Sequence, residues 1–227
     1  MSTGNYAKGL RRRDAIVEAA TEVFARAGFD GASIVEIAAD VGISRAGLLH
    51  HFESKEELLM AVLDQREASD RQVFLASGSR REGGIGVLRG MVRLAQRNEE
   101  RPGLVRLYVA LSAEATAHDH PAHRYFVEHY TRILEGTTHA LRSARELGAL
   151  RPEIDPDRFA TDLVALQDGL QLQWLLRPER ARIAAPLEAF IQSALTRDLW
   201  AIVPDVDSGV DRPRGVTTSD SNPPLEG

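Results

Sequence analysis

Residues 33–57 read SIVEIAADVGISRAGLLHHFESKEE, and the order of small, polar and apolar side chains in them sets the local architecture. Ser33 and Glu36 form an S-x-x-E pair, in which each side chain meets a free backbone N–H at a helix start, so a helix is expected from Ile34 to Val41. Gly42 breaks it. Ser44 is a good N-cap for a short third helix over Arg45 to His51, and Ser54 with Glu57 repeats the pair to open a fourth near Lys55. Ala38, Gly42 and Leu48 stand at the spacing a helix-turn-helix demands. The reason is steric: Ala38 lets two helices approach, Gly42 permits the tight turn, and Ile37, Ile43 and Leu48 pin the pair onto a preceding helix. The third helix would then face outward and could lie in the major groove of DNA. On these positions alone, an ordinary helical hairpin is the competing reading.

Upstream, Arg11 to Ala27 carries Ile16, Ala19, Ala20, Val23, Phe24 and Ala27 at three- and four-residue steps, the period of an amphipathic helix. Gly28 fits the left-handed position that ends such a helix. The fourth helix is expected to run to about Leu75, with SGSRREGG as a flexible connection. Further helices are expected at Ile85–Asn98, Gly103–Ala117, Ala122–Leu147, Pro156–Leu176 and Ala185–Ile202, punctuated by Pro102, Pro121, Pro152 and Pro178. No stretch alternates as a half-buried strand does, so the expected class is all-α. The expected organisation is an N-terminal arm and three-helix DNA-binding domain over 1–53, a helical sensing and dimerisation bundle over 54–203, and a disordered tail over 204–227, rich in Asp, Ser, Gly and Pro.

With 227 residues, 43% of them hydrophobic, the chain can bury a sizeable core. The net charge of −5 does not advertise a nucleic-acid binder, but affinity depends on where positive charge sits rather than on its total. Cysteine is absent, which excludes disulfides, thiolate metal sites and cysteine nucleophiles. No run approaches the roughly 18 to 20 apolar residues of a membrane-spanning helix, and the N-terminus lacks a secretory signal, so a cytoplasmic protein without a membrane partner is expected. Neither G-x-x-x-x-G-K-[ST], G-x-S-x-G nor H-E-x-x-H occurs, and adjacent carboxylates such as Glu99 and Glu100 diverge on a helix, so an enzyme is not expected.

A helix ending in Gly28-Phe29, the Ser33-capped second helix, GIS-RAG-LLHHF from Gly42 to Phe52, and SKEEL from Ser54 to Leu58 together resemble the tetracycline-repressor (TetR) family of regulators. The resemblance is specific over Arg11 to Leu63 and architectural beyond. It implies that Ser44, Arg45, Ala46 and Gly47 meet base edges, Arg45 donating to guanine O6 and N7 and Ala46 touching a thymine methyl. His50, His51 and Lys55 would then sit at phosphates, with the Ser33 hydroxyl or the N–H groups beside it. Leu49 departs from the family, which usually has Tyr there; it either offers an apolar contact to DNA or packs against the first helix. Arg11, Arg12 and Arg13 are either a solvated run or a basic arm for the minor groove.

One short reading helix contacts few base pairs, so a double-stranded operator calls for a homodimer; the last two long helices, with apolar groups on more than one face, are the expected interface. The family also implies a pocket for a small-molecule effector. Tyr108, Ser112, Phe126, Tyr130, Gln167, Gln171 and Trp174 interrupt apolar stripes with the polar and aromatic mixture that pockets use. His118, Asp119, His120 and His123 could in principle hold zinc or nickel but read as solvated, so neither metal nor cofactor is expected. The expected function is a sequence-specific transcriptional repressor released by a small molecule; a helical adaptor that no longer reads DNA is the alternative.

Overall fold

The first helix, α1 (Thr3–Gly31), carries a break at Gly28, whose φ of 70° is the left-handed conformation expected of a terminator. A side chain there would also strike the Glu114 carboxylate, 1.9 Å from an ideal Cβ, and Glu114 Oε2 accepts from the freed Phe29 N–H at 2.8 Å. The computed structural model describes residues 3–78 and 81–202, with side chains from Gly9 onward; the tail expected to be disordered lies outside them. Because α1 begins at Thr3 rather than near Arg11, Arg11, Arg12 and Arg13 belong to a helix and not to a flexible arm.

Three helices follow at the expected places: α2 (Ile34–Asp40), α3 (Arg45–Leu49) and α4 (Lys55–Ala76). After them come α5 (Gly83–Glu99), α6 (Pro102–Glu114), α7 (His123–Glu146), α8 (Pro156–Leu176) and α9 (Ala184–Ala194). Pro102 and Pro156 open α6 and α8, where the missing N–H costs nothing. The last helix is shorter than its apolar spacing suggests. Leu195 turns extended and forms an isolated antiparallel bridge with Leu150, so the segment to Ile202 packs without helical bonds. Among the described residues the architecture is all-α, and no helix is long and apolar enough to cross a membrane.

Two hydrophobic clusters organise these helices. One joins α5, α7, α8 and α9 around Leu88, Val92, Leu141, Leu163, Trp174 and Ile191. Gly84 lets α5 lie directly on α7: a Cβ there would come within 2.3 Å of the Ala140 carbonyl oxygen. The other gathers Phe24, Ile37, Leu48 and Leu59 from the first four helices, Phe52 from the turn before α4, and also Leu107 and Leu111 of α6 and Phe126 of α7. Residues on both sides of position 53 therefore share one core. Buried Arg89 fastens the end of the described chain by donating to the carbonyls of Leu199 and Ile202 and pairing with Glu82.

Candidate nucleic-acid interface and adjoining cavity

The turn between α2 and α3 is set by Gly42, with φ 66°, and closed by Ile43 N–H donating to Ala38 O at 2.9 Å. Ile37, Ala38, Leu48 and Phe52 are buried, so α3 is anchored by one apolar side. Its start is capped by Ser44, whose Oγ accepts from Gly47 N–H at 3.0 Å. Arg45 and Ala46 are exposed on the opposite side, and Arg45 has no polar partner among the described residues. A Cβ at Gly47 would find only ordinary contacts, the nearest being Ser44 Oγ at 3.4 Å, so packing within the protein does not demand glycine there. His50 is exposed and His51 half-buried, their rings edge to face at 5.8 Å; Leu49 is half-buried.

Several expected roles change when partners are traced. Ser33 Oγ accepts from Val35 N–H, while Glu36 pairs with Arg26 instead of returning to the cap, leaving the expected capping box half-made. Arg12 donates to Val41 O at 2.9 Å and Arg13 lies 4.4 Å over the Phe52 ring, so both brace the motif. Lys55, expected at a phosphate, instead turns inward. Its Nζ donates to Phe29 O at 2.9 Å and Ala32 O at 3.3 Å, with Asp30 O at 3.5 Å, and stands 4.4 Å over the Phe29 ring. An ammonium has three donors, and those carbonyls at the end of α1 occupy them. Lys55→Met is therefore expected to lower stability by about 1–3 kcal/mol, the cost of stranding such groups, with a matching fall in Tm. The slope of DNA affinity against salt should stay as in the wild type, whereas a phosphate ligand would reduce it by about one.

Behind this head, α4, α5, α6, α7 and α8 enclose a cavity of about 310 Å³. Tyr108, Tyr130, Gln167 and Gln171 line it as expected, but Ser112, Phe126 and Trp174 do not. Ser112 Oγ donates to Val109 O within its own helix, and Phe126 and Trp174 fill the two cores. Nothing in the sequence singles out Arg66, Asp70, His129 and Asp168, which with Glu67, Arg71 and Arg132 give the wall its charge. Tyr130 Oη donates to Asp168 Oδ2 at 2.8 Å, yet burial pushes the Asp168 carboxyl up despite that bond and nearby Arg66. Burial likewise pushes Asp70 up against Arg66 and Arg97. The His129 imidazole is held down at about 4 by burial and by Arg66 and Arg132. The Arg66 guanidinium lies 3.9 Å over the Tyr108 ring.

On the far side, α8 carries exposed Ala165, Leu172 and Leu176 with half-buried Gly169 in one stripe, and α9 exposes Ala185, Ala189 and Ser193. Leu172 is 48% and Leu176 72% exposed. In the histidine cluster, the rings of His118 and His123 meet at 3.1 Å, His123 Nδ1 sits 2.8 Å from Ala115 O, and His120 Nδ1 accepts from Ala122 N–H. Among the described residues no metal-binding group of three forms.

Comparison with known proteins places two family profiles on the chain: bacterial regulatory proteins, tetR family, over residues 16–62, and BetI-type transcriptional repressor, C-terminal, over residues 87–199. The HTH-type transcriptional repressor Rv1474c of Mycobacterium tuberculosis is 30% identical over 177 residues, spanning 78% of this chain and 89% of its own. The HTH-type transcriptional regulator UidR of Escherichia coli is 31% identical over 189 residues, spanning 81% and 93%. Among solved structures, a complex of SmeT with triclosan superposes with a TM-score of 0.69 at 20% identity, covering 89% of this chain and 100% of that one. SmeT is described as the repressor of the Stenotrophomonas maltophilia multidrug efflux pump SmeDEF.

Proposed function

This chain belongs to the TetR family of bacterial regulatory proteins and is a helix-turn-helix transcription regulator, and from that membership we propose that it represses its target as a cytoplasmic homodimer released by a small molecule. The observation that carries the reading half is Arg45. It stands exposed, and unpartnered among the described residues, at the head of a helix whose other side is buried and whose cap is satisfied. Such an arginine can donate two hydrogen bonds to a guanine edge in the major groove. Ser44, Ala46 and Gly47 share its edge of the motif; His50, His51 and Ser33 border it as phosphate contacts. Lys55 supports the motif from behind.

The cavity supplies the release. The first turns of α4 are buried with the reading head through Leu58, Leu59 and Val62, and its later turns wall the cavity through Arg66, Asp70 and Phe74. A ligand that prefers one placement of α4 shifts the population of head positions, and hence DNA affinity, by its difference in affinity for the two.

Purified protein is expected to shift DNA flanking its own gene in a gel assay. Arg45→Ala should cost about 1–3 kcal/mol on that site and relax base preference at one position per half-site, read by scanning every base pair of the operator. Full retention of preference in the variant would remove Arg45 from the reading surface.

A further inference from the structure

Resting on the effector reading above, we infer that the cavity is built for a small organic acid, a ligand with an apolar or aromatic body and one carboxylate that Arg66 receives. The Arg66 side chain is 9% exposed, and its nearest carboxylate, Asp70, is 3.7 Å away, beyond hydrogen-bond length. Among the described residues its guanidinium is held only by that loose pair and by the face of Tyr108. A guanidinium presents its N–H donors in a rigid fork that matches a carboxylate, and it cannot shed its proton to escape burial. It therefore calls for an acceptor.

The carboxyl across the same cavity has an exit that arginine lacks. Asp168 can take up a proton, which burial already favours, and then both donates and accepts beside the Tyr130 hydroxyl. The sign of the local field agrees. Of the two cations nearest His129, Arg132 is paired with Glu67 at 3.2 Å, which leaves Arg66 as the one that opposes a positive charge at the ring. A cationic ligand beside His129 would meet the same opposition. Phe74, Met91 and Val164 offer apolar wall for the body of the ligand, and Gln171, 2% exposed with an unpartnered amide oxygen, is free to meet a hydroxyl on it.

Three probes of one shape test this by calorimetric titration of the full chain: naphthalene-2-carboxylate, naphthalene-2-carboxamide and (naphthalen-2-yl)methylammonium. The carboxylate should bind at least roughly tenfold more tightly than the amide, with the ammonium weakest. Arg66→Met should abolish the preference for carboxylate over amide while keeping amide binding, which also reports that the variant is folded. Asp168→Asn, which mimics the protonated acid, should leave carboxylate binding within about threefold and provides an independent reading if Arg66→Met fails to fold. The inference is overturned if the ammonium binds tightest, if the preference survives Arg66→Met, if Asp168→Asn destroys carboxylate binding, or if none of the probes binds. Release of operator DNA by the amide or ammonium at a lower concentration than by the carboxylate would sink the organic-acid assignment and leave the effector reading standing. Probes that bind without changing operator affinity would sink the effector reading instead.

Discussion

Leu172→Glu combined with Leu176→Glu is expected to yield a folded monomer that has lost operator binding. Both side chains are exposed in the single chain, so the substitutions should move its own thermal stability little, by about 0.5 kcal/mol or less each. In a two-fold dimer every substitution occurs twice, so the variant would bring four carboxylates to a face of Leu, Ala, Gly and Ser. Burying an uncompensated charge costs several kcal/mol, which is more than an interface of ordinary strength tolerates. Losing the partner removes the second reading helix, and with it the millimolar effective concentration that the first engagement gives the second. Operator affinity should then fall by about a hundredfold or more. Sedimentation would report the mass and a gel shift the affinity. A variant that stays dimeric, or a monomer that still holds the full operator, would move the interface away from α8 and α9.

Phe24→Ala carries the largest expected effect on stability. The ring is fully buried, stacks on Phe29 with centroids 6.1 Å apart, and sits where the first four helices and α6 converge. Truncating a buried Phe typically costs about 3–5 kcal/mol, because transfer energy is lost and the cavity left behind closes only in part. For a chain of this size that lowers Tm by roughly 6–20 °C. Calorimetry should show one transition displaced as a whole. A small early transition with the main one unmoved would mean that the head melts by itself.

The reading motif was legible in the sequence because its determinants are local. Serines at the helix starts, the left-handed Gly42 between α2 and α3 and apolar spacing within a few residues fix the two helices and their turn without reference to the rest of the chain. The hold on Lys55 is not legible in the sequence for the opposite reason: its partners are the carbonyls of Phe29, Asp30 and Ala32, more than twenty positions earlier, and nothing near Lys55 reveals them. The cavity was half legible. Tyr108, Tyr130, Gln167 and Gln171 interrupt apolar stripes and do line it, but Phe126 and Trp174 do the same and fill cores instead. Arg66, His129 and Asp168 come from three helices, and only their packing brings one polar face of each to a common space. The overlong last helix reflects apolar spacing that fits helix and irregular packing equally; the bridge between Leu150 and Leu195 decides it.

Leu107, Leu111 and Phe126 close the same interior as Phe24 and Leu48, with Glu114 bonded to the backbone just after the break in α1. The DNA-recognising part is thus no cassette. Recombining it with the sensing half of a cousin would transplant one side of a fitted joint without the other, leaving oily side chains facing strange ones and the Phe29 amide without its acceptor. Chimeras that redirect such a regulator to a new promoter have better prospects if the matching surfaces of α6 and the start of α7 travel with the head, or if only the few outward side chains of α3 are exchanged.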